Sequence, residues 1–129
     1  MKSLDKENIT GISALLVHTA KIDEQYSDKE KALIKEFIKS YLKDDNSNEI
    51  LKQAEEIESN SNQLLNFTGI IKKNTMEVKS DISKSLWKVI ISDNTVDQYE
   101  SNLMRRICGL IYFPDKMSAE IKLQLLKDR

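Results

Sequence analysis

The sequence predicts an all-helical fold, and three observations carry that prediction. Its 129 residues include only 3 Gly and 1 Pro, against ordinary usage of about 7% and 5%. An all-β chain would need such turn-formers roughly every dozen residues. Apolar residues recur at three- and four-residue spacing along nearly the whole chain, and the breaks in that rhythm fall at polar clusters. The shortage of glycine also removes G-x-G-x-x-G and G-x-x-x-x-G-K-[ST], so nucleotide folds that need a glycine-built phosphate loop are excluded.

Seven helices follow in order. The first spans about residues 5 to 22, with Ile9, Ile12, Leu15, Leu16 and Thr19 on one face and Gly11 a tolerated weak point. The second runs from Ser27 to about Lys43 and buries Leu33, Ile34, Phe37, Ile38 and Tyr41. A turn at DDNSN, 44 to 48, precedes a third helix marked by Ile50, Leu51, Ala54 and Ile57, which ends at the polar ESNSN stretch. Leu64, Leu65, Phe67, Ile70 and Ile71 mark the fourth, and Lys72-Lys73-Asn74 suits its C-terminal end. Thr75 is the expected N-cap of the fifth, which buries Val78, Ile82, Leu86, Val89 and Ile90. The sixth starts at Asp97 and buries Leu103, Met104, Ile107 and Leu110. Pro114 fits the first position of a seventh helix, where its missing N–H costs nothing, and Met117, Ile121 and Leu125 form the apolar face. No linker divides the chain, so residues 1–129 are expected to form one domain.

Twenty basic and 21 acidic side chains give a net charge of −1, which argues against nucleic acid as a partner. The charges are unevenly spread. Residues 1–64 hold nine basic and 13 acidic side chains, and residues 65–129 hold 11 and eight. A single cysteine, Cys108, excludes an internal disulfide and a cysteine-rich zinc site and suits a reducing compartment. With no long apolar run and no signal-peptide core in MKSLDKENIT, the expectation is a cytoplasmic protein without direct membrane insertion.

Laying position n over n + 70 exposes an internal repeat. Residues 15–38, LLVHTAKIDEQYSDKEKALIKEFI, align with residues 85–108, SLWKVIISDNTVDQYESNLMRRIC. Leu16 meets Leu86, Asp23 meets Asp93, Ser27 meets Asp97, Glu30 meets Glu100 and Leu33 meets Leu103. Each copy is an apolar helix, a short joint and a second apolar helix, with a shared polar skeleton D-x-x-x-[SD]-x-x-E. Two such hairpins predict a pseudo-twofold bundle in which each closes the other's core.

The skeleton admits two chemistries. Ser27 with Glu30, and Asp97 with Glu100, match a capping box, in which the cap oxygen accepts from an N–H of the first turn and the Glu reaches back to the cap's own N–H. Capping does not account for Asp23 and Asp93. Both fall at the negative end of the preceding helix, where a carboxylate is disfavoured unless an Asx-turn or a cation compensates. In the second chemistry Asp23 with Glu30, and Asp93 with Asp97 and Glu100, converge as oxygen ligands of a hard divalent cation, with Ser27 a weaker donor in the first joint.

These joints resemble those of the TerB-like (tellurite-resistance protein B) family, an all-helical domain whose hairpins carry A-D-G-x-[IV]-D-x-x-E. The matching stretches are Ile22-Asp23-Glu24-Gln25-Tyr26-Ser27-Asp28-Lys29-Glu30 and Ser92-Asp93-Asn94-Thr95-Val96-Asp97-Gln98-Tyr99-Glu100. LWKVIISD and YESNLMRRICGLI resemble the family's second hairpin, and Ala119-Glu120-Ile121-Lys122 its closing helix. The resemblance runs from about residue 10 to 125. It implies a cytoplasmic module that binds a divalent metal, of unspecified identity, through the acidic joints and acts in stress-response or membrane-associated protein assemblies, with no established catalytic activity. Glu24 and Asn94 stand where the family has glycine, and Ser27 where it has its second Asp. Asn tolerates positive φ better than Glu, so the second joint is the stronger candidate for metal.

No catalytic residue set is expected. His18, the only histidine, has Ala14, Leu15, Lys21 and Ile22 at helical spacing, none of them a metal ligand, and a single His with a single Cys builds no nucleophile–base–orienter triad. Cys108 reads as a small core hydrophobe and Trp87, which overlies Val17 in the repeat, as core. Arg105 and Arg106 read as a solvated face. The expected partner is protein. The alternative to a metal module is a structural helical adaptor in which the same carboxylates only cap helices.

Overall fold

The computed structural model describes residues 6–21, 26–42, 47–60, 65–91 and 98–127, and contains seven helices and no strand among them. They are α1 (Lys6–Ala20), α2 (Asp28–Tyr41), α3 (Ser47–Ser59), α4 (Leu65–Lys72), α5 (Met76–Ile91), α6 (Gln98–Ile111) and α7 (Asp115–Lys127). Start signals of the expected kind set several boundaries. Ser27 caps α2 in extended conformation, and the Thr75 hydroxyl accepts from the Val78 N–H at 3.3 Å while its carbonyl accepts from Lys79 N–H. Pro114 stands one position earlier than expected. Its carbonyl accepts the first helical bond of α7, from Ser118 N–H at 3.1 Å, so it is the cap residue and Asp115 the first helical one.

The repeat appears in the helix boundaries themselves. Lys6 and Met76 open α1 and α5, and α2 and α6 begin and end 70 residues apart. It also extends further than the residue pattern indicated, since α3 packs on α1 as α7 packs on α5. Helix α4 has no counterpart. It lies against α1 and α6 and breaks the pseudo-twofold, so that α1 is enclosed by α2, α3, α4 and α5 and is buried along most of its circumference.

Most expected core positions are buried, among them Ile9, Ile12, Leu15, Leu16, Ile34, Phe37, Ile38, Ile50, Leu51, Ile71, Ile82, Leu86 and Ile107. At about 1.5–3 kcal/mol for each large side chain removed from water, they are the main source of stability. Leu33, Tyr41, Leu110, Ile121 and Leu125 pack only at the core's edge. Ile57 and Met117 are exposed, because each lies toward an end or flank of a helix covered on one side only. Of the expected turn at 44–48, Ser47 and Asn48 belong instead to α3, with Ser47 buried, and residues 44–46 lie outside the described residues. Leu64 lies outside the described residues, as do the side chains of Leu65, Phe67 and Ile70.

Candidate metal-binding joints

The first joint links α1 to α2; residues 22–25 lie outside the described residues, and the α2 end of the joint forms a complete capping box. Ser27 Oγ accepts from Glu30 N–H at 3.3 Å, and Glu30 Oε1 accepts both from Ser27 N–H at 2.9 Å and from Ser27 Oγ–H at 3.1 Å. Glu30 is thereby a buried side chain held against the start of its own helix. The capping expectation for Ser27 is therefore met. Of the other metal candidates, Asp23, Asp93 and Asp97 lie outside the described residues. Glu100 falls on the third residue of α6, as Glu30 does on α2, but its side chain is outside the described set. Position 97 immediately precedes α6, as 27 precedes α2. Among the described residues no group of three or more His, Cys, Asp or Glu side chains is placed to hold a metal ion.

The structure brings further charged groups to the first joint from α3. Glu58 accepts from Lys21 Nζ at 2.8 Å and lies 3.2 Å from His18 Nδ1. Burial alone would raise its carboxyl pKa, but the hydrogen bonds from Lys21 and His18, and their charges, outweigh that and hold it below the usual carboxylate value. Tyr26, between the two helices, has its hydroxyl pKa pushed well above the ordinary phenol value by burial first, then by Glu55, Glu30 and Glu58. Its hydroxyl is buried without a well-formed hydrogen bond, Glu55 being near but off bonding geometry. Lys31 and Lys21 place their ammonium groups 5.0 and 5.9 Å from its ring centre.

His18 thus has a partner after all, forty residues away rather than on its own helix. The repeat offers no signal for that pairing, because position 58 overlies Asp128, beyond α7. One local sign exists. Glu55, Glu56 and Glu58 crowd the last turn of α3, which has no basic residue, against the helix dipole; such a cluster calls for cations from another element.

The low carboxyl pKa of Glu58 gives a pH prediction. A group whose folded pKa lies below its unfolded value adds stability above the unfolded value and loses it as pH falls through the folded one. Glu58→Gln should therefore cost about 1 kcal/mol at neutral pH, a modest figure because Lys21 and His18 are each about a third exposed. The cost should vanish as the pH is lowered below the ordinary Glu range, read from urea midpoints of both proteins across that range. An equal loss at every pH would refute the assignment.

Cys108 is buried, and burial pushes its thiol pKa up, which agrees with a core rather than a reactive role. Trp87 is likewise core, with its indole N–H donating to Ser118 Oγ at 2.9 Å. A groove of about 200 Å³ between α2 and α5 is bordered by Phe37, Tyr41, Asp81, Lys84 and Lys88. Within it Tyr41 Oη–H donates to Asp81 Oδ2 at 2.7 Å. No helix among the described residues is long and apolar enough to cross a membrane.

A duplicated three-helix unit with a carboxylate-bearing joint between its first two helices defines a class of all-helical, two-joint modules. The chain belongs to the family of tellurite resistance protein TerB, whose model matches residues 10–123. No curated protein and no solved structure matches it. The family match spans both joints, α1 from Thr10 onward, and α7 as far as Leu123.

Proposed function

We propose that this TerB-family chain is a non-catalytic module of the cytoplasm that binds a hard divalent cation through its inter-helix carboxylates and serves in stress-response or membrane-associated protein assemblies. The observation that carries the reading is the register of the joints. Positions 23, 27 and 30 recur as 93, 97 and 100, and the helices that follow begin 70 residues apart. The donor chemistry fits such an ion, since Asp and Glu oxygens drawn from a loop and the next first turn are typical ligands of calcium and magnesium. Glu30 is already oriented by Ser27, and burial, together with the negative field of Glu55, Glu30 and Glu58, raises the phenol of Tyr26 at the first joint. When bound, the ion would neutralise that field and tie one helix end to the next helix start.

Glu30 Oε1 already accepts two bonds from Ser27, and Ser27 replaces a carboxylate. The second joint, with Asp93, Asp97 and Glu100, is therefore the stronger binder. The complete capping box of the first joint supports the alternative, a structural adaptor whose carboxylates only cap helices.

A thermal melt separates the two. Wild type and the double variant Asp93→Asn, Asp97→Asn are melted in chelator and then with Ca²⁺, Mg²⁺, Mn²⁺ or Zn²⁺. A site should add about 2.7 kcal/mol at a hundred times its dissociation constant, and the double variant should lose that response. A melting temperature indifferent to every ion, with a loss of about 1 kcal/mol in the variant regardless of chelator, is the result expected of caps alone.

A further inference from the structure

We propose that two copies of this chain exchange α7, each seating the other's helix on its own α5 and α6, with Tyr112 as the hinge. The argument starts from the backbone. Tyr112 has φ 60°, and among the described residues it is the one non-glycine residue in the left-handed region. It follows the last residue of α6 in a Schellman turn, closed by Phe113 N–H donating to Cys108 O at 2.9 Å. Such a position is normally taken by Gly or Asn, because a side chain there crowds the following carbonyl. The ring of Tyr112 lies 5.4 and 5.9 Å from Lys72 and Lys79 Nζ, but the residue is 65% exposed, so burial offsets little of the strain.

The other half of the repeat avoids this strain. Leu42, at the position of Tyr112, leaves α2 in extended conformation with φ −111°. Residues 42–46 separate α2 from α3, whereas only 112–114 separate α6 from α7, and Pro114 has its φ fixed. The short span is thus folded back onto its own α5 through a left-handed tyrosine. When Tyr112 takes the extended backbone of Leu42 instead, α7 swings away from its own seat, and α7 of a second copy fills the place. A short hinge under strain favours that exchange over folding back.

The seat suits a helix that leaves and is recaptured. Within α7 only Ser118 is buried, and Ile121, Leu125 and Leu126 pack partly buried against the core. A groove of about 320 Å³ runs between Ser80 and Lys84 of α5 and Met117, Ile121 and Leu125 of α7, and another of about 220 Å³ lies beside Trp87, Met104 and Lys122. A helix seated this shallowly opens at lower cost than the whole domain. Recapture is still specific. Trp87 Nε1–H donates to Ser118 Oγ at 2.9 Å, and Phe113, 3% exposed, travels with the helix and refills its own pocket on the other chain. Exchange re-forms these contacts between chains, so the dimer needs no new apolar surface and gains the relief of two hinges.

Full-length protein is unfolded in guanidinium, refolded at concentrations from about 10 μM to 1 mM, and its mass read by light scattering after gel filtration. A dimer fraction that rises with concentration is expected. Tyr112→Gly accepts positive φ without strain; it should raise the melting temperature of the monomer and weaken the dimer at least about tenfold. Tyr112→Val, β-branched and least tolerant of that φ, should strengthen the dimer by a similar factor. Isotope-labelled and unlabelled chains refolded together identify the exchange, because filtered proton contacts should then join the Trp87 indole of one chain to Ser118 of the other. A protein monomeric over the whole range, a dimer without that inter-chain contact, or a dimer indifferent to both variants overturns the proposal.

Discussion

Ala14→Lys should leave the chain unfolded or molten at room temperature, while the mirror-image change Lys84→Ala should alter stability by no more than about 0.5 kcal/mol. The two positions are equivalent by the repeat, and the sequence places a small apolar residue at one and a lysine at the other. The fold explains the difference. Ala14 is fully buried in the middle of α1, which is surrounded by α2, α3, α4 and α5, whereas Lys84 lies on the exposed flank of α5. A lysine at 14 would need to bury its charge and force apart α1 and α3. Charge burial and overpacking together cost more than about 4 kcal/mol, a large share of the 5–15 kcal/mol that holds a domain together. Lys79 is no counter-example, because it sits in the first turn of α5 and reaches the edge at Tyr112. Far-UV circular dichroism during guanidinium unfolding, together with the dispersion of the amide spectrum, reads both variants. Similar losses at 14 and 84 would mean that α1 is not the central helix.

This asymmetry marks how far the sequence could be read. Helix identity was legible because each boundary is a local matter, as the caps at Ser27 and Thr75 and the paired starts of α2 and α6 illustrate. The first-joint capping box was legible for the same reason, since Ser27 and Glu30 are three residues apart. What was not legible depends on which helix becomes central. Periodicity gave Ile57 and Ile50 the same standing, yet one is 41% exposed and the other fully buried. Glu58 was invisible as the partner of His18 and Lys21 because only the packing of α3 on α1 brings them together. The remaining metal candidates, Asp23, Asp93 and Asp97, rest on register alone.

Trp87→Ala should cost about 3–5 kcal/mol, the range for losing a large buried aromatic, and its main effect should fall on α7. Trp87 is 4% exposed and fills the place that the smaller Val17 takes in the other copy. Its indole N–H donates to Ser118 Oγ at 2.9 Å, and the Lys122 ammonium lies 5.2 Å from the ring centre. Both partners belong to α7, in which Ser118 alone is buried, whereas α3 buries Ser47, Ile50, Leu51 and Ala54. Ile121, Leu125 and Leu126 pack only partly buried against the core, so the tryptophan is the most deeply buried anchor of α7. Trp87→Phe separates the hydrogen bond from the volume. With Ser118→Ala it should close a double-mutant cycle with about 0.5–1.5 kcal/mol of coupling, the net worth of a buried neutral hydrogen bond. Urea midpoints by circular dichroism give the coupling, since the only indole is lost. Hydrogen exchange should show α7 opening first in Trp87→Phe while α1 and α3 keep their protection. Equal acceleration in all helices would mean that the tryptophan supports the whole core rather than the attachment of α7.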